Sequence, residues 1–328
     1  MTLAELATAV CDSRGLAHKR DIEAVMQALG QSAFVGEREA VMNGDDCAAI
    51  PDGDGYLLFA IEGLLNDFVA AEPWFAGYCG IMVNVSDVYA MGGRPIAVVD
   101  AIWSRGRERG RAILEGMAAA STAYGVPIVG GHSNARSERE QLSVAVLGRA
   151  ARLLTSFDAD PGDALVAAID LRGRYHEPFP FWDASTGVEG ARLRGDLDVL
   201  PALAAAGLCA AAKDISNASV IGTALMLLEC SRLGGVIEVG RVPRPAGAPL
   251  ARWLLSTFPS YGFLLAVPEP AVAAVLERFG ARGIAAASVG RCDDSGVVRL
   301  SDGNAEEPVW DFGRERLTGW GLQMETSP

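Results

Sequence analysis

A polar, turn-rich break at residues 155–163, reading Thr-Ser-Phe-Asp-Ala-Asp-Pro-Gly-Asp, constrains the fold of this chain more than any other feature. On each side of it, strand-like and helix-like stretches alternate, and such alternation calls for a sheet covered by helices. The expectation is therefore two domains, 1–155 and 156–328, of α+β or α/β class, each long enough to bury its own core. In the first, apolar runs at 47–50 and 56–61 flank the turn Pro51-Asp-Gly-Asp-Gly55, a hairpin signal. Helical spacing of Phe75, Cys79, Met82, Val83 and Tyr89, between Pro73 and Gly92-Gly93, predicts a long helix. A strand at 95–102, a helix at 108–124 and strands at 127–129 and 142–147 complete the first half. The second half predicts strands at 164–169, 236–239, 263–267, 284–289 and 297–300, with helices at 197–206, 220–232 and 271–279.

Charge narrows the partners. With 28 basic and 41 acidic residues the net charge is −13, which gives no electrostatic footprint for nucleic acid or an anionic membrane. A phosphate ligand would need its positive field from a divalent metal or from backbone N–H groups. The six cysteines are scattered with no C-x-x-C pair, as expected for reduced core thiols. No charged-then-apolar leader opens the sequence and the alanine-rich run at 201–212 is too short to span a bilayer, so a cytoplasmic protein without a membrane helix is expected.

Four motifs carry chemistry. Asn43-Gly-Asp-Asp-Cys-Ala-Ala-Ile50 sets Asp45 and Asp46 directly ahead of a strand, where adjacent carboxylates either face water separately or share a cation. Asn84, Ser86 and Asp87 interrupt an otherwise apolar helix. Asn84 and Asp87, three residues apart, share a face that would meet a metal or a phosphate; a helix kink is the other reading. Gly130-Gly131-His132-Ser133-Asn134 follows a short strand, and its glycines permit backbone N–H groups to approach an anion. Lys213, one of only two lysines, is followed by Asp214-Ile-Ser-Asn-Ala-Ser219 and then a helix, so Asp214 and Ser216 either cap it or face a nucleotide.

In this order the motifs GDDCAAI, NVSDVYAMGGRPIAVVD, IVGGHSN, KDIS with IGTALMLLECS, and FPSYGFLLAV resemble the aminoimidazole ribonucleotide synthase superfamily over about residues 35 to 300. Its members include PurM, selenophosphate synthetase, thiamine monophosphate kinase and HypE, and the likeness is strongest to the AIR synthase-related branch. The resemblance implies a two-domain PurM-like fold, with an N-terminal domain that pairs in a homodimer to build a β-barrel, a C-terminal α/β domain, and ATP held with Mg²⁺. By the same resemblance Asp45, Asp46, Asp87, Asp214 and Glu62 are expected at the metal. Asn84, Ser86, Gly130, Gly131, His132, Ser133 and Asn134 are expected at the cofactor, with His132 and Lys213 as catalytic groups.

Two departures stand out: Glu62 replaces the usual Asp, and Asn217-Ala218-Ser219 replaces the usual glycines after Asp-Ile-Ser. No Cys-Gly-x-Cys-Lys sequence precedes the first strand, which argues against selenophosphate synthesis. The expected activity is ATP- and Mg²⁺-dependent phosphorylation of an oxygen on a small amide, carboxylate or phosphate. The alternative is a nucleotide-binding partner subunit without turnover. The segment 171–195, rich in arginine and aromatics, fits neither domain pattern. Its Arg172, Arg174 and Trp182 are the expected substrate contacts, as planar forks and an apolar wall, unless the segment is only a seal between domains.

Overall fold

A computed structural model describes residues 1–29, 42, 44–259 and 261–319; Asn43 of the acidic motif lies outside them. The helices are α1 (Leu3–Cys11), α2 (Arg14–Leu29), α3 (Asn66–Ala71), α4 (Pro73–Ala90), α5 (Arg107–Tyr124), α6 (Gly190–Leu197), α7 (Val199–Ala206), α8 (Ser219–Cys230), α9 (Leu250–Leu255) and α10 (Val272–Gly280). Strands β1 (Ala48–Asp52), β2 (Gly55–Gly63), β3 (Arg94–Arg105), β4 (Ile128–Asn134) and β5 (Arg136–Ala150) form one sheet in the order β1-β2-β5-β3-β4. The second half contributes β6 (Ala164–Ile169), the hairpin β7 (Arg174–His176) and β8 (Phe181–Asp183), and β9 (Ala211–Asp214). It continues with β10 (Gly234–Glu238), β11 (Gly262–Val267), β12 (Ala285–Asp293), β13 (Val297–Ser301) and β14 (Glu306–Asp311). These make a seven-stranded sheet, β14-β13-β10-β12-β6-β11-β9.

The chain divides into two compact units. The five-stranded unit takes Asp46–Leu153 and Ser185–Ala205; the seven-stranded unit takes Met1–Asp45, Leu154–Ala184 and Ala206–Pro328. Each is a sheet covered by helices, which is the two-domain PurM-like architecture. The expected hairpin forms where its turn chemistry places it: Asp52 pairs with Gly55, and Gly53 takes φ +58°, a value glycine adopts without strain.

In the five-stranded unit, α4 starts with proline in its first turn, where the missing N–H costs nothing, and is buried on nearly every side. It lies against α5 at a distance only glycine permits. A methyl group at Gly77 would fall 2.0 Å from the carbonyl oxygen of Ile113, and one at Gly116 would fall 1.8 Å from that of Trp74. Gly80, one turn on, faces side chains of β5 instead: a methyl group there would fall 2.9 Å from Val144 Cγ2 and 3.3 Å from Leu142 Cδ2.

The seven-stranded unit is centred on β6 and β11, whose residues are all buried, as expected for strands covered on both faces. The segment 155–163 is not a passive connection: Thr155 forms a bridge with Ala211, and Ser231 Oγ donates to Ser156 O at 2.8 Å. Among the described residues two helices that the sequence reading did not predict precede β1. The first is opened by a capping box in which Glu5 N–H donates to Thr2 Oγ1 at 3.2 Å and Thr2 N–H donates back to the Glu5 carboxylate at 2.8 Å. At the other end of the chain, the buried Glu229 carboxylate of α8 accepts the N–H groups of Leu317 at 2.7 Å and Thr318 at 2.8 Å.

Candidate functional site

The acidic pair separates. Asp45 belongs to the seven-stranded unit and Asp46 to the five-stranded one. The Asp45 carboxylate is buried and accepts Ser156 N–H at 2.6 Å and Ser156 Oγ–H at 2.5 Å, with Lys213 Nζ at 3.6 Å. Lys213 Nζ also donates to Ser156 Oγ at 3.2 Å. Asp45 and Lys213 side chains are each 2% exposed. These partners anchor the Asp45 carboxylate within the seven-stranded unit. Asp46 is half-buried and keeps the expected role open. Asp214, the last residue of β9, is buried and pairs with Phe263.

On α4, Asn84, Ser86 and Asp87 are all buried. Asn84 Nδ2 donates to Gly80 O at 2.7 Å, while its Oδ1, fully enclosed, accepts no hydrogen bond among the described residues. A buried polar atom left so is rare and calls for a partner such as an ion or water. Glu62, on β2 opposite Val144, is exposed.

The Gly-Gly-His stretch is strand, not loop. β4 runs on to Asn134, parallel to β3 and at the sheet edge, with Gly130, Gly131, His132, Ser133 and Asn134 exposed. The His132 ring lies 6.1 Å from that of Trp103. Gly131 pairs with Asp100, and a methyl group there would fall 2.5 Å from Asp100 Oδ2. The bare Cα of Gly131 thus makes room for a carboxylate. Partial burial holds the Asp100 carboxyl above its usual range. Asp100 closes the NVSDVYAMGGRPIAVVD motif, yet only its strand register shows that it stands beside Gly131.

The arginine- and aromatic-rich segment forms the β7–β8 hairpin. Trp182 is buried, donates from Nε1 to Asp170 O at 2.8 Å, and meets Trp253 edge to face at 5.1 Å. Arg172 donates to both Asp170 carboxylate oxygens, at 2.7 and 3.0 Å, and to Arg282 O at 3.0 Å. Both residues fix the hairpin to the core. Arg174 is exposed.

The structure thus brings together Asp45 with Lys213, Asn84 with Ser86 and Asp87, and the five β4 residues. Among the described residues no three His, Cys, Asp or Glu side chains converge as a ready metal site. Burial pushes the Cys209 and Cys292 thiols up to about 12, which keeps them unreactive. No helix among the described residues is long and apolar enough to cross a membrane.

Comparison with known proteins agrees with this layout. Residues 44–150 match the AIR synthase related protein N-terminal domain, and 162–303 match the C-terminal domain. An uncharacterised protein of Synechocystis sp. is 45% identical over 97% of this chain and 98% of its own. Thiamine-monophosphate kinase of Pyrococcus horikoshii is 31% identical over 42% of this chain and 46% of its own. The solved structure of T. maritima PurL complexed with ATP covers the whole chain with a TM-score of 0.73 at 21% identity, and the chain spans 54% of that PurL chain.

Proposed function

The chain belongs to the AIR synthase related protein family, and from that premise we propose that it is an ATP- and Mg²⁺-dependent enzyme that phosphorylates an oxygen of a small amide, carboxylate or phosphate substrate. The observation that carries this reading is the enclosed, unsatisfied Oδ1 of Asn84, on the same helix face as the buried Asp87. Relatives point the same way, since one is a thiamine-monophosphate kinase and the PurL structure was obtained with ATP.

The donors fit magnesium. Asp46, Asp87 and Glu62 in the five-stranded unit, and Asp214 in the seven-stranded unit, each offer hard oxygen ligands, and Mg²⁺ is commonly held by one or two carboxylates with nucleotide phosphates completing its shell. That usage needs no protein cage of three ligands. Held by such carboxylates, Mg²⁺ would neutralise the triphosphate and so allow a chain at −13 to hold an anion. The protein's own part is positioning: His132 stands exposed at the sheet edge to contact a phosphoryl oxygen or move a proton, and Lys213 holds β9 against Asp45 beside Asp214.

We also place a homodimer at the five-stranded sheet. Phe59 and Leu147 pair directly, Ile61 and Val99 flank Ala145 in one row, and these four apolar side chains are 37–66% exposed. A sheet face of this kind is an interface in waiting. Light scattering is expected to give twice the chain mass, and Ile61→Glu to shift it toward one; a wild-type monomer would remove the dimer. The free thiols fit a reducing, cytoplasmic setting.

Calorimetry with ATP, with and without Mg²⁺, tests the functional reading, followed by phosphate release with candidate amides, carboxylates and phosphates. Asp87→Asn removes a charge at constant volume and is expected to weaken Mg-ATP about tenfold or more, equivalent to about 1.4 kcal/mol. Unchanged affinity would remove the metal assignment. Tight Mg-ATP binding without phosphate release on any substrate would favour a partner subunit without turnover.

A further inference from the structure

Both lysines of this chain are buried in the seven-stranded unit, Lys19 at 5% exposure and Lys213 at 2%. Lys213 is accounted for by Asp45. Lys19 comes from α2, outside both family-matched stretches, and its Nζ donates to Ser216 Oγ at 3.0 Å, two residues beyond Asp214. Met226 Sδ lies 2.8 Å from the same ammonium, and Ser216 N–H donates onward to Thr223 Oγ1 at 3.3 Å.

The residues after Ser216 hold a backbone that ordinary side chains resist. Ala218 and Ser219 take φ of +64° and +56°, left-handed values that cost a residue with Cβ about 1–2 kcal/mol each. Strain of this kind persists only where surrounding structure imposes it. Here α2 imposes it from one side, since a methyl group at Gly15 would fall 2.4 Å from Ala218 N and 2.9 Å from its Cα. From the other side, Ser219 Oγ donates to Trp253 O at 2.6 Å and contacts Tyr261 Oη at 3.0 Å.

We infer that Gly15 and Lys19 are positioning residues of the nucleotide site: α2 clamps the Asp214–Ser219 segment so that Asp214 is presented to the magnesium nucleotide. The inference rests on the functional reading above, which gives Asp214 to the metal. An apolar side chain of the same length would fill the place of Lys19 without the cost of burying an ammonium. Keeping the charge serves the polar segment it touches.

Lys19→Met, Lys19→Arg and Ser216→Ala test this, with three readouts: Mg-ATP affinity, the Mg²⁺ concentration for half-maximal nucleotide binding, and the urea midpoint. Loss of a hydrogen bond to a charged group is expected to weaken Mg-ATP about tenfold in Lys19→Met and to raise its Mg²⁺ requirement, with the urea midpoint little changed. Ser216→Ala is expected to move both nucleotide readouts in the same direction, and Lys19→Arg to recover part of the loss. Wild-type affinity and Mg²⁺ requirement in Lys19→Met overturn the inference, as does a loss of binding that merely follows a fallen midpoint. If Lys19→Met does not fold, Ser216→Ala decides by the same readouts. A wild-type protein that binds no Mg-ATP takes away the functional reading itself, whereas wild-type binding with unaltered variants takes away only the clamp.

Discussion

Alanine at Gly77 is expected to lower the unfolding free energy by about 3 kcal/mol, at the upper end for overpacking, because the added methyl meets backbone and not a movable side chain. It would lie 2.0 Å from the Ile113 carbonyl oxygen, 2.9 Å from its carbon and 3.1 Å from Met117 N. The reciprocal contact of Gly116 with Trp74 means that neither helix can yield without losing the other's seat. Gly280→Ala is the control: it ends α10 with nothing within 4 Å of the new atom, so it should be neutral or slightly stabilising. Urea unfolding of the two variants checks this. A Gly77→Ala protein within about 1 kcal/mol of wild type, less than overpacking of this kind costs, would show that the helices stand further apart.

The second large effect is expected at Asp45. Asp45→Ala takes a carboxylate away from a buried ammonium, a main-chain N–H and a hydroxyl, and breaking a buried pair from one side costs about 3–5 kcal/mol. Asp45→Asn combined with Lys213→Met should be less damaging than Asp45→Asn alone, since it removes both charges together. The contrast with Asp87 is informative: Asp45 variants should fail in urea with an ordinary Mg²⁺ requirement, and Asp87→Asn should behave the opposite way. Near-wild-type stability in Asp45→Ala would show that the Asp45–Ser156–Lys213 contacts do not anchor the fold.

What the sequence showed and what it hid divides along the range of the deciding contact. Pro73 and Gly92 marked the ends of α4 because they act on their own backbone, Gly92 with φ +73° just past the helix. Gly77 and Gly116 read as weak points within helices; their value appears only once α4 and α5 are side by side. Asp45 and Asp46 are chemically equivalent neighbours, and nothing local says that Ser156, more than a hundred residues later, holds one of them. The rings of Tyr175 and Trp182 resembled ligand walls since Trp253, which they pack against, lies some 70 residues downstream. The first helix was legible too, in the capping box of Thr2 and Glu5 and in the helical spacing of Leu3, Leu6, Ala7 and Val10, and was passed over.

The seven-stranded unit is made of three separate stretches, and this sets an order of assembly. α1 and α2 precede every other element described, yet they rest on some of the last: Cys11 Sγ donates to Val309 O at 3.3 Å, and Arg20 lies 4.8 Å over the Trp310 ring. Ribosomes add about 5–20 residues per second, so the helices emerge on the order of 15–60 s before their seat exists. During that interval Leu6 and Val10, buried in the finished protein, have no surface to bind, while the stretches of the five-stranded unit have all been made and are free to fold. Closure of the seven-stranded unit thus falls to the final strand. A chain halted before β14 would carry a finished five-stranded unit and a leading helix, α1, open to chaperones and proteases.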